Sequence, residues 1–238
     1  MPVMSPHPAP SLFAAESVPA YDGLNFFPVA AGTRARLRDR LGFSGTVLLA
    51  IDYPAAAQQL LHLVDAFSHV ARREVTAVLR LAVASATPTF EEREQLAFLR
   101  RRIAESPYAD RIVVTKAPNE SERPDVCRAA DLFVSVQDTL TGWRHALEAM
   151  ACGLPAVLPD VPAGLRGLAF GRHALTADTN DATDLGVTMM KILRHTRVRE
   201  RLARMGAYYA RASLAWAGRG APDVSDDDMG KIPSPIVP

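Results

Sequence analysis

Lysine is almost missing from this chain, occurring only at 116, 191 and 231, while arginine supplies the rest of the 27 basic residues. Against 26 acidic residues the net charge is +1, which gives no global argument for a nucleic-acid or acidic partner. Cysteine is scarcer still. Cys127 and Cys152 are too few and too far apart along the chain for a metal or disulfide framework, and reduced cytosolic thiols fit them best. No apolar run reaches the roughly 18 residues a membrane span requires. The opening "MPVMSPHPAPSLFAAESVPA" lacks the charged start and long apolar stretch of a signal peptide. These absences predict a soluble, cytoplasmic protein. Chemical motifs are missing too. "AIDYPAAAQQ" (50–59) has no glycine where a G-x-G-x-x-G or Walker loop would stand, and no nucleophile elbow or Ser-His-Asp order occurs. His62, His69, His173 and His195 show no metal-ligand spacing, and no metal is expected.

What is present is alternation. With 238 residues and 48% apolar composition, a sizeable core is possible. Residues 1–20, rich in Pro, Ala and Ser, and 218–238, with Pro, Gly and an acidic run, are expected to be flexible. Between them "TRARLRDRLG" predicts a helix closing on Gly42, and "GTVLLAI" (45–51) a short apolar strand. Leu60, Leu61, Val64, Phe67 and Val70 mark one face of a helix over 55–72. "TAVLRLAV" (76–83) is a strand, and Thr89 with Glu92 forms a capping box for the helix carrying Leu96, Leu99 and Ile103. Strand 111–115, helix 122–130, strand 131–136, helix 142–152 and strand 155–159 follow, then a loop to Gly171 and two helices ending near 217.

Short, wholly apolar strands alternating with helices imply a parallel sheet covered on both faces. The expected fold is a single α/β domain, Rossmann-like and doubly wound, over residues 21–217. Ligands of such sheets sit beyond the carboxyl ends of the strands. That makes the loops near 52–57, 84–88, 115–120, 137–142 and 159–164 the candidate site walls.

The densest motif is "AADLFVSVQDTLTGWRHALEAMACGLPAVLPDVPAGLRGL", from residue 129. It resembles the donor-binding half of the family 4 (group 1) nucleotide-sugar glycosyltransferases, whose fold is GT-B. Asp131, Leu132, Phe133, Glu148, Ala149, Met150, Ala151, Cys152, Gly153 and Pro155 match the family pattern. Upstream, "DGLNFFP" resembles its interdomain linker and "DRIVV" one of its strands. The resemblance implies transfer of a sugar from a UDP- or GDP-sugar with retention of configuration. It places the nucleotide ribose on Glu148, the base beside the 115–119 loop with Lys116, and the phosphates near Thr141 to Arg144.

The chain departs from the family at three places. The first glutamate of the E-x7-E pair is Leu140; an alternative alignment through Ser135, Asp138, Thr141 and Gly142 deletes it. The Arg and Lys that neutralise the donor diphosphate are replaced by Asp52 and Tyr53 and by Gln58 and Gln59. Charge-assisted hydrogen bonds of that kind contribute about 1.5–3 kcal/mol each. The sequence also starts at the interdomain linker, so it reads as half of an enzyme, with the acceptor pocket expected on a separate protein. Thr141, Gly142 and Arg144 at a helix N-terminus are candidates for a replacement phosphate cradle.

Several readings stay open at this stage. Glu148 is either one half of a surface ion pair with Arg144, four residues away, or a ribose ligand. Arg144 either points to solvent or meets phosphate. The basic run "RHTRVRERLARM" (194–205) is either a solvated helix face or a peripheral membrane contact, and Trp143 and Trp216 read as packing residues. As a whole the chain is a transferase half, a nucleotide-binding module, or a silent homologue acting as a scaffold. A crevice filled by Leu140 and Tyr53 would mark the scaffold, and an open one with Glu148 pointing in would mark a working site.

Overall fold

The structure is a computed structural model that describes residues 25–52, 57–84, 87–137, 139–159 and 171–217. Six strands form one sheet: β1 (Thr46–Ile51), β2 (Ala77–Ala84), β3 (Ile112–Lys116), β4 (Leu132–Val134), β5 (Ala156–Pro159) and β6 (Leu175–Ala177). Their order is β3-β2-β1-β4-β5-β6 and every neighbouring pair is parallel. This is the doubly wound order, with the chain reversing its direction of travel across the sheet between β1 and β4.

The alternation along β1 shows why its run had to be wholly apolar. Leu48 and Ala50 enter one core, formed with α2 (Ala57–Ala71), α3 (Phe90–Ala104) and α6 (Ala182–Arg194). Val47, Leu49 and Ile51 enter the other, with α1 (Ala31–Leu41), α4 (Arg123–Ala129), α5 (Leu140–Ala151) and α7 (Thr196–Ala217). A strand with both faces covered has no polar side to show.

Local chemistry sets the element ends. Thr89 caps α3 through a capping box in which its side chain accepts from Glu92 N–H and Glu92 returns the bond. α1 ends on Gly42 in the left-handed region. Gly45, at φ 64°, enters β1 so close to Thr76 that a Cβ would lie 2.0 Å from its carbonyl oxygen.

Two expectations need correction. β6 falls in a stretch expected to connect directly to the last helices; its three residues, Leu175–Ala177, carry no apolar run that periodicity could detect. α5 begins at Leu140, two residues earlier than expected, because Thr139 is its N-cap and accepts from Gly142 N–H at 3.2 Å.

The basic run at 194–205 lies across the end of α6 and the start of α7, where Arg194, Arg197, Arg201 and Arg204 are exposed. Leu202, in the same run, is buried. No helix among the described residues is long and apolar enough to cross a membrane. Residues 1–24 and 218–238 lie outside the described residues, as does the side chain of Trp216.

Candidate functional site

The chain reverses its direction of travel between β1 and β4, and α5 starts beyond the carboxyl end of β4, at the edge where doubly wound sheets take their ligands. Its first turn fits tightly against the chain leaving β4: a Cβ on Gly142 would lie 2.9 Å from the Gln137 carbonyl oxygen. One turn on, His145 is buried, with Nδ1 3.3 Å from the carbonyl of Ile51 at the end of β1. Burial lowers the His145 pKa, Glu148 partly opposing it, so the imidazole is neutral at physiological pH. Asp52, the next residue after β1, is buried as well and donates its N–H to Ala82 O.

Glu148 has no exposed surface at all. It lies in a run of α5 where Ala146, Leu147, Ala149, Met150 and Ala151 are also buried, and α5 packs against β4, β5 and α7. Two guanidinium groups reach its carboxylate. Arg123, at the first position of α4, donates from Nε at 2.7 Å and from Nη2 at 3.4 Å. Arg144 donates from Nε at 3.1 Å, and its Nη2 reaches Glu120 on the preceding loop at 3.0 Å. The side chains of Arg123 and Arg144 are 12% and 36% exposed, whereas that of Glu120 is 65% exposed.

The pairing expected between Arg144 and Glu148 is therefore present, but it is not a surface pair. A carboxylate removed from water needs compensating charge, and here two cations supply it. Arg123 was not identified from sequence. It lies 25 residues before Glu148, and only the packing of α4 on α5 brings the two together.

The other candidates are dispersed. Thr141 is half-buried in the first turn of α5, and Gly142 donates its N–H to the Thr139 hydroxyl. Lys116 is exposed at the end of β3, the edge strand, two strands away from the reversal point. Gln58 is exposed and Gln59 half-buried on α2. Tyr53, Asp138 and the side chain of Leu140 lie outside the described residues. His173 is buried and stacked on Tyr209, with ring centroids 4.9 Å apart. Trp143 is buried in the core beneath α5. Among the described residues no group of three or more His, Cys, Asp and Glu could hold a metal ion.

The two cysteines, distant in sequence, meet in space. Cys127 on α4 and Cys152 at the end of α5 are both buried and free, and Cys152 Sγ lies 3.8 Å from the Pro124 carbonyl. A hydrogen bond with the Cys152 thiol, together with burial, pushes the Cys127 thiol well above its usual range. The Cys127 thiol is thus a protonated packing group near Glu148.

Comparison with known proteins agrees with this fold. Residues 42–195 match the family model described as "Glycosyl transferases group 1". Mannosylfructose-phosphate synthase of Agrobacterium fabrum is 40% identical over 200 residues, covering 84% of this chain and 44% of that protein. The chain therefore spans less than half the length of this curated relative. Among solved structures, the C-terminal domain of the group 1 protein LpcC from Francisella tularensis superposes with a TM-score of 0.68 at 14% identity, over 81% of this chain and 97% of that one. HepE of Anabaena, solved with UDP and glucose, gives 0.71 at 16% identity over 90% of this chain and 55% of that one. The LpcC match shows that this sheet with its flanking helices corresponds to one half of a GT-B fold. The family match runs from the turn before β1 through α6, taking in the Glu148 helix and both arginines, and on that evidence the chain belongs to the group 1 glycosyl transferases.

Proposed function

We propose that this domain binds the nucleoside diphosphate part of a sugar donor at the carboxyl edge of the sheet, between β1 and β4. The observation that supports the reading is Glu148, a buried carboxylate flanked by Arg123 and Arg144, toward the sheet edge where doubly wound sheets take their ligands. Glu148, which has no exposed surface in this arrangement, would accept hydrogen bonds from the ribose hydroxyls once Arg144 turns away from it. Arg144, in the second turn of α5, would donate to the diphosphate, aided by the positive end of that helix. Arg123 would keep the cluster from carrying a net negative charge when Arg144 turns away. Arg144 would thereby take over part of the task for which the family pattern has cations at the positions of Asp52, Tyr53, Gln58 and Gln59.

Transfer itself is assigned to the donor domain acting together with an acceptor-binding half, supplied by further chain or by a separate protein. Mannosylfructose-phosphate synthase makes a sugar-phosphate acceptor the class to test first. With Leu140 in place of the first glutamate, contacts to the donor sugar are reduced, so the nucleotide should provide most of the binding. The side-chain contacts proposed here require neither metal nor cofactor.

Calorimetric titration with UDP, GDP, UDP-glucose and GDP-mannose tests the reading, with Glu148→Ala as the control. Submillimolar binding that the substitution abolishes supports a donor site. Binding that survives the substitution moves the site elsewhere. No binding up to several millimolar leaves a scaffold as the role of this chain.

A further inference from the structure

The four charges of the Glu148 cluster differ sharply in how freely they can move. Glu148 is fully buried and belongs to a packed helix, so it cannot leave. Arg123 is nearly buried and makes two bonds to it. Arg144 is partly exposed and shared: one nitrogen goes to Glu148 and another to Glu120. Glu120 is the most exposed of the four and sits on the loop between β3 and α4. An exposed pair of this kind contributes little stability, because water and salt compete for both partners.

We infer that Glu120 is an internal stand-in for the donor diphosphate, occupying the outer nitrogen of Arg144 until the nucleotide displaces it. This rests on the donor-site reading above. The chemistry matches: a carboxylate and a phosphate oxygen accept the same charge-assisted bond from a guanidinium, and a diphosphate brings more charge and more acceptors to it. The exchange needs no movement of the buried pair. Only the Glu120 side chain must swing into solvent, with Arg144 turning while its aliphatic stem stays on α5. The contact therefore tunes affinity: it weakens donor binding without abolishing it.

The decisive measurement is calorimetric binding of UDP, GDP and inorganic pyrophosphate to the full chain, to three single variants and to one double variant. Glu120→Gln is expected to tighten nucleotide and pyrophosphate binding about two- to five-fold, the range set by an exposed ion pair. Glu122→Gln, which removes the same charge two residues away from a side chain bonded to Asn119 N–H at 3.0 Å, is expected to change little. Arg144→Ala should weaken binding at least ten-fold, and adding Glu120→Gln to Arg144→Ala should produce no further tightening. Equal tightening by the 120 and 122 variants would reduce the effect to general charge and overturn the inference. Nucleotide binding that Glu120→Gln leaves unchanged or weakens overturns it too, while leaving the donor site intact. Failure of every probe to bind any of the proteins overturns both, and unchanged far-UV circular dichroism of each variant excludes misfolding as the cause.

Discussion

Asp131 and Glu148 are each gripped by two arginines, at opposite edges of the sheet, and they do different work. At the amino edge Asp131 pairs with Arg34 at 2.7 Å and Arg38 at 3.0 Å, and accepts the Val47 N–H at 2.8 Å. The same arginines donate to the carbonyls of Arg128, Ala129 and Ala130 at the end of α4. Every contact ties one element to another: α1 and β1 meet on the Asp131 side chain at the start of β4, and the arginines of α1 bind the end of α4. At the carboxyl edge Arg123 and Arg144 are spent instead on the carboxylates of Glu148 and Glu120. Donors held by backbone carbonyls cannot be reassigned without unravelling a helix end. Donors held by an exposed carboxylate can be transferred to a ligand. The family motif contains both acids, and only their partners separate the structural one from the candidate ligand.

The comparison predicts different losses. Asp131→Ala should cost the most, about 3 kcal/mol, since it orphans two arginines and the Val47 N–H together. Urea denaturation measures it, and protein that remains folded should bind nucleotide as before. Glu148→Gln keeps an acceptor but removes the buried charge. It should cost about 2 kcal/mol in the same assay and, unlike the Asp131 change, weaken nucleotide binding more than ten-fold. Equal effects of the two variants on binding would break the distinction between the edges.

Smaller effects refine the carboxyl edge. Gly142→Ala drives a methyl toward the Gln137 carbonyl and should lower stability by about 1–2 kcal/mol, readable as a shift in the urea midpoint. The smallest change is pH-dependent. Burial depresses the His145 pKa, so below the ordinary histidine value of about 6.5 the unfolded chain binds a proton that the folded protein refuses. Stability should fall as pH drops below that value, down to the lowered folded pKa, with His173 acting in the same sense. Comparing urea midpoints at pH 7.5 and 5.5 checks the slope, which His145→Gln should flatten but not remove.

Most of the fold was legible because covered strands leave a plain trace. "TVLLAI" and "AVLRLAV" have too few polar residues for any other parallel position, and Thr89 and Glu92 marked a helix start that the structure reproduces bond for bond. β6 escaped because three residues paired along β5 need no pattern of their own. The site was legible by half. Glu148 and Arg144 share a helix, so the 3.6-residue period joins them in sequence. Arg123 belongs to another helix, and no local rule places it within 2.7 Å of Glu148.

The sequence by itself determined the strand–helix alternation, the apolar strands and the family motif, because period, burial and turn chemistry act over neighbouring residues. Only the tertiary structure decided that Glu148 is buried rather than a surface residue, that Arg123 and Arg144 both neutralise it, and that two cysteines distant in the chain meet. Each of those depends on how α4 packs against α5, and the electrostatics of a site follow the distances that packing sets.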